Sequence, residues 1–282
     1  MLYVNEPSII VGKHQNAFAE INHRYVSENN IKVVRRLSGG GTVFHDSGNL
    51  NFCFIRNGKE GNLIDFKRFT QPIIEVLQQL DVPAERSGRN DLIINGLKFS
   101  GNAEHVFKNR TLHHGTLLFS SRLENLSTAL KVNPDLYHDK AVKSVRSKVT
   151  NISEYLSSNI SLDEFKALII SHIVSGTNDV CQYKFTEADH SKINDLVEEK
   201  YKTWEWNYGY SPRFSFKNQG SANGQFIEVE VEVEKGIIKQ ADIKVNNQSI
   251  PDISKDLQDL PYKKDVVSYK FQSENIILPF LF

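Results

Sequence analysis

Three consecutive glycines, Gly39, Gly40 and Gly41, stand between Arg35-Arg36-Leu37-Ser38 and Thr42-Val43-Phe44-His45. Lacking a Cβ, such a run lets backbone approach a ligand closely and turns successive N–H groups inward. The resulting concavity suits phosphate or carboxylate oxygens, and the two arginines add charge at its rim. The stretch reads as an anion cradle. It holds no GxxxxGK[ST] pattern, and the residues after it predict a strand, not the helix that a dinucleotide fingerprint requires. A plain glycine-rich turn is the competing reading, and only the arginines bring the two level.

A second candidate is Asp91-Leu-Ile-Ile-Asn-Gly-Leu-Lys-Phe-Ser100, two short strands around Asn95-Gly96, the strongest short-range hairpin signal. With Ile94 opposite Leu97, Ile93 falls opposite Lys98 and Asp91 opposite Ser100, so Asp91, Ile93, Lys98 and Ser100 share one face. Lys98 could then offer a cation to a phosphate while Asp91 holds Mg²⁺ beside it, although a lone lysine is usually just a surface residue. Adjacent His113 and His114 point to opposite faces of a strand, which favours structural or hydrogen-bonding roles over shared metal ligation. The polar run Ser144-Val-Arg-Ser-Lys-Val-Thr-Asn151, which contains Arg146, could fold over a nucleotide or be a solvated loop. Cys53 lies in an apolar strand and Cys181 beyond a helix, neither beside charges that lower a thiol pKa, so both read as inert. The chain has no GxSxG elbow to support a serine nucleophile.

The elements that must position these residues follow from periodicity. Residues 31–36 and 49–55 are β-branched or aromatic with partial period-two patterning, which predicts strands on either side of the glycines. Residues 63–80 carry apolar positions at helical spacing, with a break or kink expected at Pro72. Ser161-Leu-Asp-Glu164 is a capping box, and Thr186 can cap a helix over 187–201; both helices are expected to flank the sheet. The aromatic run 204–214 reads as core or interdomain packing. The polar segment Lys217-Asn-Gln-Gly-Ser-Ala-Asn-Gly224 reads as a linker, dividing the chain into residues 1–216 and 217–282. Beyond it, residues 226–236 alternate strictly and form, with 237–245, a hairpin that opens a small α+β domain.

At 282 residues the chain is long enough for two domains and a real core. Hydrophobic residues at 39%, aromatics at 10% and charges at 24% exclude disordered, collagenous and coiled-coil classes. Lys and Arg number 34 against 34 Asp and Glu, so no overall field draws in nucleic acid or an anionic membrane, and any anion must be held locally. Two distant cysteines argue against a disulfide framework or structural zinc and for a reducing compartment. With no signal-peptide pattern and no apolar run long enough for a bilayer, the protein reads as cytoplasmic.

Taken in order, the 35–49 stretch, Arg89-Asn-Asp91, Lys98-Phe-Ser-Gly101, His113-His-Gly-Thr-Leu-Leu118, the 144–151 run and Trp204-Glu-Trp-Asn-Tyr-Gly209 resemble the lipoate–protein ligases over almost the full chain. The resemblance implies an α+β fold: a mixed, largely antiparallel sheet flanked by helices, as in biotin and lipoate ligases, with a small C-terminal α+β domain. It implies an enzyme that uses ATP and Mg²⁺ to convert lipoate to lipoyl-adenylate and pyrophosphate, then passes the lipoyl group to a carrier lysine. The carriers implied are lipoyl domains of 2-oxoacid dehydrogenase complexes and the glycine cleavage carrier protein; nucleic acid and membranes are not expected partners, and a monomer is.

The same resemblance assigns roles. The backbone of Gly39, Gly40 and Gly41 with Arg36 would hold the adenylate phosphate, and Ser38, Thr42, Val43 and Phe44 would line the nucleotide site. Arg36 and His45 would help hold lipoate. Lys98 would bridge the lipoate carboxylate and the α-phosphate, as an electrostatic group and not as a nucleophile. Asp91 is the candidate for Mg²⁺ and Arg146 for a loop closing over the intermediate. Family members usually begin with a further strand and helix ahead of the segment matching residues 1–12, and this chain starts inside that pattern: either its start codon is assigned late, or the fold lacks an outer piece and exposes apolar surface there. The rivals are an octanoyl or lipoyl transferase working through a cysteine, which requires Cys53 to face the pocket, and a non-catalytic binder of lipoate or nucleotide. A biotin ligase is expected to carry alternating Arg and Gly where this chain has three glycines, and an enzyme that uses preformed lipoyl-adenylate stays open.

Overall fold

In the computed structural model, residues 1–58, 63–88, 90–271 and 276–282 are described; Arg89 of the 89–91 motif lies outside them. The strands run in chain order as β1 (Leu2–Val4), β2 (Ser8–Val11), β3 (Lys32–Arg35), β4 (Val43–His45), β5 (Asn49–Asn57), β6 (Ala84–Ser87), β7 (Asp91–Ile94), β8 (Leu97–Phe107), β9 (Arg110–Leu118), β10 (Tyr137–Asp139), β11 (Phe214–Ala222), β12 (Gln225–Glu234), β13 (Ile237–Val245) and β14 (Gln248–Ser249). They form a six-stranded sheet ordered β1-β5-β9-β8-β7-β6, a five-stranded sheet ordered β10-β11-β12-β13-β14 and a three-stranded sheet ordered β3-β2-β4. Only the β2–β3 pairing is parallel among the named strands, so the expected mixed, largely antiparallel α+β architecture is what the chain adopts.

The helices relevant here are α1 (His23–Glu28), α2 (Phe66–Gln79), α3 (Leu123–Ala129), α4 (Leu162–Ser175) and α5 (Glu187–Leu196). Period-two alternation in β5 puts Leu50, Phe52 and Phe54 on one face, packed with Ile73 and Leu77 of α2 and Phe165 and Ile169 of α4. The Asp65 side chain caps α2, which is continuous through Pro72, so of the expected break or kink no break forms. Burial of Phe69, Ile73, Ile74, Val76 and Leu77 outweighs the backbone bond that a proline removes. Both capping boxes form, at Ser161 and at Thr186. Yet α5 does not flank the sheet: none of its residues is buried, because it lacks a continuous apolar stripe, and it passes into a π-helical turn over Val197–Tyr201.

The 217–224 segment is not a linker. Its first six residues are the second half of β11, paired with β12 from Phe214↔Val233 to Ala222↔Gln225, and Asn223-Gly224, both at positive φ, make the turn. Polar residues there occupy the solvent side, while Gly220 lies under the Phe280 ring, where a Cβ would sit 2.7 Å from it. A cut after residue 216 runs through the middle of this strand. The core beneath the five-stranded sheet also recruits Phe18 and Tyr137 from upstream, beside Phe214, Phe216 and Tyr262.

Candidate functional site

The six-stranded and three-stranded sheets line an open cavity of about 590 Å³. Its floor follows from the alternation that builds the core: residues of β5, β9 and β8 opposite the buried faces point into it, namely Asn51 and Cys53, Leu112, His114 and Thr116, and Gly101 and Ala103. Across the sheet, Thr116 stands opposite Asn51, and His114 stands opposite both Cys53 and Ala103. Ile10, Val34 and Val43 of the three-stranded sheet form the facing wall.

The glycine turn joins β3 to β4 at the cavity rim, with Gly40 at φ +92°, a conformation open to glycine and strained for other residues. Arg36 is less a free cation than the clamp of this turn. Its Nη2 donates to the carbonyls of Gly39 and Gly41, each at 2.7 Å, its Nη1 to Ile10 O at 2.9 Å and its Nε to Ser38 Oγ at 3.1 Å. Burial pushes its pKa down to about 10. Arg35, expected at the rim, points the other way and is fully buried against carbonyls of residues 12–15 and 206–207. Strand alternation separates the two neighbours.

Behind the turn runs a relay of hydrogen bonds. Thr42 N donates to Ser144 Oγ at 2.8 Å, and Ser144 Oγ donates to Glu20 Oε2 at 2.5 Å. Gln15 Nε2 donates to Ser144 Oγ, while Gln15 Oε1 accepts from Gly12 N and Thr42 Oγ1. Burial raises the Glu20 pKa. Gly12 lies so close to the turn that a Cβ on it would meet Gly40 O at 2.0 Å. Gly12→Ala is therefore expected to displace the turn and weaken nucleotide binding roughly tenfold, an effect of about 1.4 kcal/mol readable by calorimetric titration with ATP. Unchanged affinity would show that the turn does not hold the nucleotide.

Lys98 and Asp91 both line the cavity and are paired, Nζ to Oδ1 at 2.8 Å, each side chain about a quarter exposed. The shared face holds for them but not for Ser100. A bulge after Leu92 puts Asp91 opposite Gly101 and Leu92 opposite Ser100, which turns Ser100 inward to 1% exposure. The 144–151 run is pinned beside this pair, Lys98 N donating to Lys148 O and Thr150 N to Lys98 O. Among the described residues no three His, Cys, Asp or Glu side chains gather into a metal-binding group, so Asp91 is a lone carboxylate on the wall.

Of the other expected site residues, Ser38, Gly40, Gly41, Thr42, Val43 and His45 line the cavity. Gly39 does not, and Phe44 is turned into the core at 4% exposure because it alternates with Val43 and His45 along β4. Arg146 is exposed and off the wall, while its neighbours Val145 and Ser147 reach it. Asn5 Nδ2 and His45 Nδ1 are 2.9 Å apart, so Asn5 donates, the His45 proton sits on Nε2, and that group has no hydrogen-bond partner among the described residues. Burial, with Arg36 and His114 nearby, holds the His45 pKa down to about 3. His114 Nε2 meets Ser38 Oγ at 2.6 Å. His113 faces the opposite side, its Nδ1 2.9 Å from Glu104 Oε1, and burial among phenylalanine rings holds its pKa down to about 3.

The depressed His45 value makes stability pH-dependent. An unfolded histidine takes up a proton near pH 6.5, whereas folded His45 does so only near 3, so lowering the pH through that window favours unfolding. Between pH 7 and pH 5 His45 alone should cost roughly 2 kcal/mol, and the urea midpoint should fall accordingly. An equal midpoint at both pH values would overturn this.

Sequence reasoning read Cys53 as inert within an apolar strand, missed Asn51 and Gln15, and singled out Ser144 only as the start of a run that could fold over a nucleotide. For the first two the signal was present: Asn49, Asn51 and Cys53 alternate with Leu50, Phe52 and Phe54, so the polar set had to face away from the core. No local signal marks the bonds of Gln15 to Thr42 and Ser144 or of Ser144 to Glu20, whose ends are distant in sequence.

A family model described as Lipoyl protein ligase A/B catalytic domain matches residues 1–174. The chain is 43% identical over 283 residues to lipoate-protein ligase LplJ of Bacillus subtilis, covering 98% of this chain and 85% of that protein. Among solved structures, a lipoate-protein ligase A bound with ATP is similar at TM-score 0.62 and 27% identity over 74% of this chain and 85% of that one. A bipartite lipoate protein ligase of Thermoplasma acidophilum, described with its E2 lipoyl domain, is similar at TM-score 0.64 and 27% identity over 74% and 83%.

Proposed function

The chain belongs to the lipoate–protein ligase family, and from that premise we propose that it joins lipoate to a carrier lysine in two half-reactions that share the cavity. The observation that carries this reading is the placement of the Lys98–Asp91 pair and the glycine turn on the wall of one cavity. In the first half-reaction a lipoate carboxylate oxygen bonds to the α-phosphorus of ATP while the bond to the bridging β-phosphate oxygen breaks, releasing pyrophosphate. Two anions must meet for this. Lys98 Nζ offsets their repulsion and faces the charge that builds in the transition state, remaining electrostatic throughout. Backbone N–H groups of the turn, shaped by Arg36, meet phosphate oxygens. Neutral His45 donates Nε2–H to a lipoate oxygen. In the second half-reaction the carrier amine attacks the activated carbonyl and AMP leaves.

Asp91 would hold Mg²⁺ together with nucleotide phosphates, which suits a cation commonly bound by one or two carboxylates plus substrate oxygens; when bound, the ion neutralises phosphate charge. Gly39 and Arg146 enter this reading only through motion of the turn and of the 144–147 loop. The carriers are lipoyl domains of 2-oxoacid dehydrogenase complexes and the glycine cleavage carrier protein; an E2 lipoyl domain accompanies the archaeal relative, which supports the class. We place the enzyme in the cytoplasm as a monomer, with an accessory C-terminal unit that begins at β11, not after residue 216. No helix among the described residues is long and apolar enough to cross a membrane.

Purified protein with Mg²⁺, ATP and lipoate is expected to release pyrophosphate, and addition of a lipoyl domain to give that domain the mass of one lipoyl group. Absence of both products would end the proposal. Cys53 on the cavity wall favours a second reading, transfer through a thioester. Burial raises the Cys53 pKa, which counts against a nucleophile, and lipoylation that persists without ATP would select that pathway instead.

A further inference from the structure

The cavity is longer than the carboxylate site requires. Lys98 Nζ lies beside Gly101 of β8, where a glycine Cβ would meet it at 3.2 Å, and Gly101 N donates to Thr116 Oγ1 of β9. From β8 across β9 to β5 is two strand spacings, roughly 10 Å, and the register puts Asn51 there, with Cys53 two residues further along β5, roughly 12 Å from Gly101. Tyr3 of β1, paired with Asn51, lines the same end of the cavity. The Asn51 amide is already engaged, accepting from Asn49 Nδ2 at 3.0 Å and donating to Tyr3 O at 3.4 Å, so the Cys53 sulfur, beside Tyr3, is the polarizable group that this end of the cavity offers to a ligand. His45, 5% exposed and with Nε2 unpartnered among the described residues, lines the same cavity and marks it as built for a ligand.

Building on the proposed function, we infer that Cys53 is a specificity-determining residue: with the carboxylate at Lys98, the far end of the acyl chain rests on its sulfur, and this contact selects the cyclic disulfide of lipoate over the plain terminus of octanoate. The two acids share a chain of the same carbon count, so length does not separate them. An extended arm spans roughly 8 Å from carboxylate to ring sulfur, and with a hydrogen bond of roughly 3 Å at Lys98 and a sulfur contact at its other end it reaches from the Lys98–Gly101 corner to Cys53. A polarizable thiol against two polarizable ring sulfurs gains dispersion that a methyl terminus does not supply. The thiol must not open the ring, since exchange requires a thiolate. Burial raises the Cys53 pKa and keeps it protonated, with only the Met1 amine opposing.

Two measurements test this. In Cys53→Val the ratio of kcat/KM for lipoate over octanoate, read by pyrophosphate release, is expected to fall about fivefold. In the wild-type protein, lipoate is expected to slow N-ethylmaleimide labelling of Cys53, mapped by peptide mass, more than octanoate does, while exposed Cys181 labels equally in both. The second reading does not depend on a variant folding. A ratio within twofold of wild type, or equal protection by the two acids, overturns the inference. Wild-type protein that still releases pyrophosphate with lipoate in that case leaves the ligase reading intact.

Discussion

Lys98→Ala is expected to lower kcat/KM for lipoate-dependent pyrophosphate release by between a hundredfold and a thousandfold, roughly the loss seen when a donor aimed at developing charge is removed. In the proposed reaction two anions meet beside this amine, whose ion-pair partner on the wall is Asp91, a group that alone would repel them. The comparison must separate the lost cation from the exposed carboxylate. Adding Lys98→Ala to Asp91→Asn does so, with Asp91→Asn alone as the baseline: if Lys98 acts on substrate, the double variant is far slower than that baseline; if it only masks Asp91, the two rates agree. Folding should be spared, because the pair is partly exposed and such pairs contribute roughly 1 kcal/mol or less. A wild-type rate in Lys98→Ala would remove the centre of the proposed mechanism.

Arg35→Lys is expected to destabilise the fold by about 3–5 kcal/mol, the range for breaking a fully buried, hydrogen-bonded charge. The Arg35 guanidinium donates to Trp206 O, Gly12 O, Lys13 O, Gln15 O, Asn207 O and Ser211 Oγ, between 2.7 and 3.2 Å, and its side chain has no exposure. Lysine has three donors on a point charge and cannot span acceptors arranged around a planar fork, so several carbonyls would be buried unpaired. Thermal unfolding should drop by roughly 10 °C. A loss under about 1 kcal/mol would mean that water replaces the fork.

What could be read from the sequence were the features set by local chemistry. The Asn95-Gly96 hairpin, the capping boxes at Ser161 and Thr186 and the alternation of 226–236 each became the element expected, because the residues that specify them lie within a few positions. Lys98 beside Asp91 was legible for the same reason. The bulge that turned Ser100 inward was not, since it depends on Phe99 finding a place in a distant core. The opposite fates of Arg35 and Arg36 follow from strand alternation, yet which one faced the cavity required knowing that residues 206–211 pack on the other side. Composition misled at 217–224, where polar side chains on the wet side of a strand look like a linker.

Every residue from 174 to 188 is exposed, while β10, which precedes that span, is zipped to β11, which follows it. Arg35 ties the two sides together again through Trp206 and Asn207. A protease nick within that stretch would therefore leave both fragments associated, and the halves expressed as separate polypeptides have the ladder and the core they need to find each other.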